Sequence, residues 1–269
     1  MQKDFVRVLE KNPEKPWNWS VLMPCFNITF KIVNDESWNW YELSSRVAWE
    51  TVEKNLDKPW NWQVLSKRSD VDWTFVERHL DQDWDWHWMS QWSDVDWSFV
   101  ERHIDQDWAW WALSKNLDVD WAFVERHLDK DWDWWMLSRK PDVDWNFIER
   151  HLDKDWGWWA LSKNLDVDWA FVERHIDKDW NWYGGLSRRS GIDWAFVEKH
   201  LDKYWNWEVL SEIVDWAFVE RHIDKPWSWY GLSQRSDIDR AFVERHLDKP
   251  WDWYELSSRV AWETVEKNL

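Results

Sequence analysis

"DVDWAFVERHLDKDWDWWMLSRKP", residues 118–141, holds four tryptophans in 24 residues, and residues 142–165 repeat it as "DVDWNFIERHLDKDWGWWALSKNL". A Trp-x-Trp pair marks the frame. Its first members are Trp17, Trp38, Trp60, Trp84, Trp108, Trp132, Trp156, Trp180, Trp205, Trp227 and Trp251. They step by 21, 22, 24, 24, 24, 24, 24, 25, 22 and 24 residues. A second aromatic column lies 11 residues before most pairs, at Trp49, Trp73, Trp97, Trp121, Trp145, Trp169, Trp194 and Trp216. Phe30 holds this column early, Phe5 starts it, Trp262 ends it and Arg240 breaks it. A fixed period of this length is the signature of a repeat array. The expected domain is therefore one array over 1–269, eleven two-part units and a terminal half-unit, with no linker dividing it.

The period of the apolar residues decides between helix and strand. In "WAFVERHL", 121–128, about 100° per residue gathers Trp121, Phe123, Val124, His127 and Leu128 into one arc. Ala122, Glu125 and Arg126 fall opposite, and a strand would segregate them worse. Asp120 stands where an N-cap belongs. In the second segment, "DWDWWMLS" at 131–138, no alternating run follows the pair. Several copies begin Lys-Pro-Trp, and Pro is tolerated only at the start of a helix. A second helix of about two turns, closing near Leu137 and Ser138, is the reading. Its paired rings would point about 200° apart, one to the same unit and one to a neighbour. A lone hairpin of this size cannot bury such faces, whereas a stack can. The fold class expected is all-α, an α-solenoid of short helical hairpins rising about 10 Å per unit. Short helices carry few aliphatic side chains, so Trp, burying about 200 Å² each, stands in for a larger core.

Composition narrows the functional classes. Trp supplies 36 of 269 residues, charged residues 32%, and the formal net charge is −18. Aromatic richness argues against disorder. The longest uncharged run, "SVLMPCFNITF" at 20–30, is too short to cross a membrane. Lys and Arg are interleaved with more numerous Asp and Glu, which argues against nucleic acid or an anionic membrane as partner. The start "MQKDFVRVLEKNPEK" has no apolar signal core, and the single Cys25 allows no internal disulfide, so an intracellular location is expected.

The amino-terminal phrases carry a resemblance. "NPEKPWNWSVL" at 12–22 and "NITFKIV" at 27–33 resemble the Trp-rich tandem repeats of giant DNA virus proteins, where Asn-Pro-x-Lys-Pro-Trp-x-Trp alternates with Asn-Ile-Thr-Trp. Asn12, Pro13, Lys15, Pro16, Trp17 and Trp19 match the first phrase; Asn27, Ile28, Thr29 and Phe30 match the second, with Phe for Trp. "NLDKPWNW" at 55–62 is a near match, while the middle units use Asp-Val-Asp-Trp instead. The resemblance implies a viral helical-repeat protein of the host cytoplasm or virion. It brings no catalytic residue with it.

Candidate sites are few. A histidine column runs through His79, His103, His127, His151, His175, His200, His222 and His246, with Asn12 and Asn55 in two other units. Neighbours about 10 Å apart are too distant to share a zinc ion, which needs nitrogen about 2 Å away. Since Asn substitutes for His, a structural hydrogen bond is the better reading. Acidic pairs such as Asp118 and Asp120 recur at helix boundaries and suit capping. No phosphate loop, nucleophile elbow or zinc-protease motif is present. The reading is non-enzymatic, with no catalytic residue, no metal and no cofactor.

One column varies. Three places after each first pair-Trp stand Ser20, Tyr41, Gln63, His87, Trp111, Trp135, Trp159, Tyr183, Glu208, Tyr230 and Tyr254. A buried position would not accept Gln, Glu and Ser. His87, Trp111, Trp135, Trp159 and Tyr183 thus form a candidate exposed aromatic stripe, either an interaction site or extra stacking between units. Three functions follow: a scaffold or protein-binding module, a carbohydrate binder using Trp111, Trp135 and Trp159, or a subunit self-associating end to end. The last rests on "YELSSRVAWETVEKNL", which occurs at 41–56 and again at 254–269. Repeated Glu-Arg pairs (Glu125, Arg126 and equivalents) complete the expected partner surface. Gly184-Gly185 and the short "LSEIVDW" at 210–216 are expected to bend the array.

Overall fold

The computed structural model describes residues 40–164 and 166–258. The motif residues Asn12–Trp19 and Asn27–Phe30, and Phe5, Ser20, Cys25 and Trp262, lie outside that range, as does most of the repeated terminal segment. The chain divides into two compact bodies, residues 1–133 and 134–269. The division falls inside the motif Trp132-Asp133-Trp134, where nothing in the repeat changes.

Both bodies are all-α. In the first, leading helices Trp73–Arg78, Trp97–Arg102 and Trp121–Arg126 alternate with closing helices Trp62–Leu65, Trp86–Met89 and Trp110–Leu113. Trp40–Arg46 and Trp49–Glu53 precede them. The second body opens on Trp134–Leu137. Its leading helices are Trp145–Arg150, Trp169–Arg174, Trp194–Lys199, Trp216–Arg221 and Arg240–Arg245. Its further closing helices are Trp158–Leu161, Trp207–Ser211 and Trp229–Ser233. The architecture is thus a solenoid of helical hairpins, and among the described residues no strand occurs.

The leading helix starts where its cap requires. Asp120 Oδ1 accepts from the backbone N–H of Phe123, and Asp72, Asp144, Asp168 and Asp215 cap their helices in the same way. Two consecutive residues, Phe123 and Val124, are buried, and His127 closes the helix.

The closing helix is shorter than two turns. Trp134–Leu137 is a single turn, and the first Trp of each pair precedes it. The reason is local. The residue between the two tryptophans is the N-cap: Asn61, Asp85 and Asn206 accept from the N–H three places on. The first Trp lies in a tight turn, the backbone N–H of Trp60 donating to the Lys58 carbonyl at 2.8 Å. Pro59 sits at the centre of that turn, where its fixed φ fits.

Stacking joins the hairpins by three ladders. The first is aromatic. Within the second body Trp180 meets Phe171 of its own unit edge-on at 6.3 Å and Trp158 of the preceding unit at 5.1 Å. The second pair-Trp therefore reaches the next unit, as its position implies. The leading-helix Trp also reaches forward: Trp169 lies 4.8 Å from Phe196. Arg240 is exposed and pairs instead with Glu244 at 2.7 Å. The ring it replaces would cover the next unit's Phe, and in the sequence that place holds Thr264.

The second ladder explains the recurrent Leu-Ser. Buried Ser162 donates Oγ–H to the Trp158 carbonyl and accepts the Asn181 N–H of the next unit at 2.8 Å. Ser66, Ser90 and Ser114 do the same in the first body. The third ladder is polar and lies nearer the surface. Glu101 receives Arg126 at 2.9 Å and His127 at 3.1 Å.

The insertion at Gly184-Gly185 is absorbed inside its own unit. A short 3-10 helix, Leu186–Arg188, replaces the α-turn, and the Leu186 N–H reaches back five residues to the Asn181 carbonyl. Ser187 still accepts the Asn206 N–H at 2.9 Å and Trp182 still meets Trp205 at 5.2 Å.

Candidate interaction surface

The histidine column is spent on structure. Its carbonyls accept the indole N–H of the following pair-Trp, as from Trp180 to His175 at 2.8 Å. Asn55 supplies the same main-chain carbonyl to Trp60 at 2.7 Å, while its side chain donates to the Thr51 carbonyl at 2.8 Å. The imidazole Nε2 faces a glutamate one unit back: His103 faces Glu77, His175 Glu149 and His246 Glu220. The same glutamates hold Arg102, Arg174 and Arg245. The Arg174 hydrogen bond, and after it that of His175, holds the Glu149 carboxyl below its ordinary value. Lys199 and then His200 do the same to Glu173. The Glu-Arg pairs are therefore knitted from unit to unit and stay at the surface. Among the described residues no group of three or more His, Cys, Asp or Glu is placed to hold a metal. No described helix is long and apolar enough to cross a membrane.

The variable column is exposed. In the first body His87 is exposed and Trp111 is 45% exposed. In the second, Trp135 is 44%, Trp159 53% and Tyr183 44% exposed. His87, Trp111, Trp135 and Trp159 sit on closing helices and Tyr183 in the turn before Leu186–Arg188, each one residue after the buried or half-buried second pair-Trp, so the turn aims them away from the core. Stacking between units is carried by the other tryptophans, and among the described residues of this column only Tyr183 shows it, lying 5.4 Å from Tyr204 of the next unit at 23°.

Each tryptophan of the column carries a cation from four places on, the next residue on the same helical face. Lys115 Nζ lies 4.4 Å from the Trp111 ring, Arg139 5.1 Å from Trp135 and Lys163 3.6 Å from Trp159. A cation over an exposed ring contributes about 0.5–1 kcal/mol. The ring of Trp135 also leans on Gly157, where a Cβ would meet its Cδ1 at 2.7 Å. Gly157 thus loses the capping side chain that Asp85 has, and makes room for Trp135. His87 Nδ1 lies 3.6 Å from Asp107, an exposed carboxylate of the next unit.

Three parts of this surface escaped sequence reading. Trp88, 41% exposed beside His87, carries Lys67 of the previous unit at 4.6 Å. Its column is otherwise small or aliphatic apart from Glu42 and Glu255, and an aromatic ring there was the signal. Tyr204, 75% exposed, replaces an Asp of the regular frame. The cations four places on were visible as Lys115, Arg139 and Lys163, but their use depends on the rings facing outward.

No known family, curated protein or solved structure matches the chain.

Proposed function

We propose that the protein is a non-enzymatic helical-repeat scaffold that binds a protein partner through the exposed aromatics of one sequence column, Trp135, Trp159 and Tyr183 in the second body and His87 and Trp111 in the first. The observation that carries this reading is the exposure of Trp111, Trp135 and Trp159 in a fold whose other described tryptophans, Trp88 and Trp253 apart, are buried or half-buried. Exposed aromatic rows are where protein interfaces draw most of their affinity. The rings also keep the cations Arg139 and Lys163 beside them, so the surface offers apolar area with charge at its edge. The viral resemblance adds a setting, the host cytoplasm or the virion.

The test is a photo-crosslinking residue placed at Trp135 or Trp159, compared with one at Arg174 on the Glu-Arg ladder, in an extract of cells that make the protein. A defined adduct at the column only, lost on Trp135→Ala/Trp159→Ala, supports the reading. Equal adducts at both places sink it. Saccharide binding in a glycan array, lost in the same double variant, would replace it with the carbohydrate reading. For that reading a sugar needs an open ring face, and Lys163 lies over one face of Trp159.

A further inference from the structure

A cleft of about 630 Å³ in the second body is lined by Glu208, Glu212, Ile213, Tyr230 and Arg235, among others. It lies where the repeat is irregular. From Ser211 to the cap Asp215 the linker is two residues shorter than from Ser114 to Asp120. The closing helices Trp207–Ser211 and Trp229–Ser233 form its walls.

Position by position, this unit inverts the chemistry of two regular units earlier in the same body. Trp135 with Arg139, and Trp159 with Lys163, place a ring and, four residues on, a cation against it. The same two places here are Glu208 and Glu212, both exposed carboxylates. Among the described residues neither is in an ion pair. The cleft's own cation is already committed. Arg235 binds Asp237 at 2.6 Å through Nη2 and 2.9 Å through Nε, and donates to the Ser211 and Val214 carbonyls. That leaves the two glutamates as the uncompensated charge. Tyr230, 59% exposed, lines the same cleft, and its fourth residue on is neutral Gln234. Ile213, 49% exposed, supplies apolar surface. Gly231 occupies the place of Ala160 and Met136 in regular units and leaves the wall low.

We propose that this cleft receives a guanidinium or alkylammonium group carried on a basic segment of a partner protein. The head group lies between the Glu208 and Glu212 carboxylates, and the aliphatic stem lies along Ile213 and the Tyr230 ring. The Trp135 and Trp159 units supply the cation for their own rings; here it must come from outside. The site does not depend on the Trp135–Trp159 reading, and its test uses different residues.

The test is calorimetric titration of the full chain with the blocked peptide Gly-Ala-Arg-Ala-Gly, its Lys form, and a citrulline form that keeps the shape without the charge. At about 50 mM salt, where screening is weak, the Arg and Lys peptides bind and the citrulline peptide does not. Glu208→Gln/Glu212→Gln weakens the charged peptides about tenfold or more. Glu212→Lys, which installs the cation of regular units, abolishes binding. Asp177→Asn/Asp179→Asn removes the same charge from exposed positions outside the cleft and changes affinity less than about twofold. Equal binding by wild type and the Glu208/Glu212 variant overturns the proposal. So does an equal loss in the Asp177/Asp179 variant, or no binding at millimolar peptide. Trp135→Ala/Trp159→Ala leaves the titration unchanged, so failure of the column reading is read separately.

Discussion

The indole N–H of Trp180 donates to the backbone carbonyl of His175, five residues back, at 2.8 Å, and both residues are buried. One bond thus closes the end of a leading helix and fixes the ring that the next contacts require. Trp180→Phe keeps most of the ring and removes the donor. A buried carbonyl left without its partner costs about 1–3 kcal/mol. Trp180→Ala also empties the site and costs about 3–5 kcal/mol. Urea midpoints should fall in that order. An unchanged midpoint for Trp180→Phe would show that water replaces the indole.

Ser162 acts in two directions, donating to Trp158 and accepting from Asn181. Ser162→Ala removes both bonds from a fully buried place. The expected destabilisation is about 1–3 kcal/mol. Hydrogen exchange at the Asn181 amide should accelerate more than at the Phe171 amide, which Asp168 caps. Equal changes at both amides would mean a global effect only.

The Glu149 and Glu173 carboxyls are held below their ordinary value of 4.5, by Arg174 and Lys199 first and by His175 and His200 next. A carboxyl depressed on folding stabilises the protein above its unfolded value. That contribution is lost as the pH falls through the folded value. The melting temperature of wild type should therefore exceed that of Glu149→Gln/Glu173→Gln at about pH 7, and the two curves should converge below about pH 4. Comparing the pair removes the general effect of titrating a chain of net charge −18. These glutamates are exposed, so the difference should shrink in about 1 M salt.

Acrylamide quenching separates the tryptophans. Trp88, Trp111, Trp135, Trp159 and Trp253 are the exposed ones among the described residues. The accessible component should fall by more than half in the triple variant Trp111→Ala/Trp135→Ala/Trp159→Ala. If most of the emission of wild type quenches readily, the packed-ring core is wrong.

Much of the fold could be read from spacing alone, because it is written in side chains that repeat. Asp120 before Trp121 announced the cap, and Phe123 with Val124 announced the buried face. The shortness of the closing helix could not be read, because the capping role of Asp85 and Asn206 depends on backbone geometry rather than pattern. The Ser162 relay escaped for a related reason: Leu-Ser recurs visibly, but a serine recurs equally well on a surface. Exposure of Trp135 was foreseen from Gln63 and Glu208 in the same column. The cleft at Glu212 was not, because it arises from two missing residues and the space they leave.

The ladder bonds are all between neighbours, and the longest among those described here, from His200 to Glu173, spans 27 residues. No unit waits for a distant partner. A chain with such local contacts folds fast, and its cooperativity passes from one unit to the next. During synthesis each hairpin can therefore dock on its predecessor as soon as it leaves the ribosome. Because Ser162 holds its acceptor ready before Asn181 exists, growth has a direction: every finished unit is a template for the one still to be made.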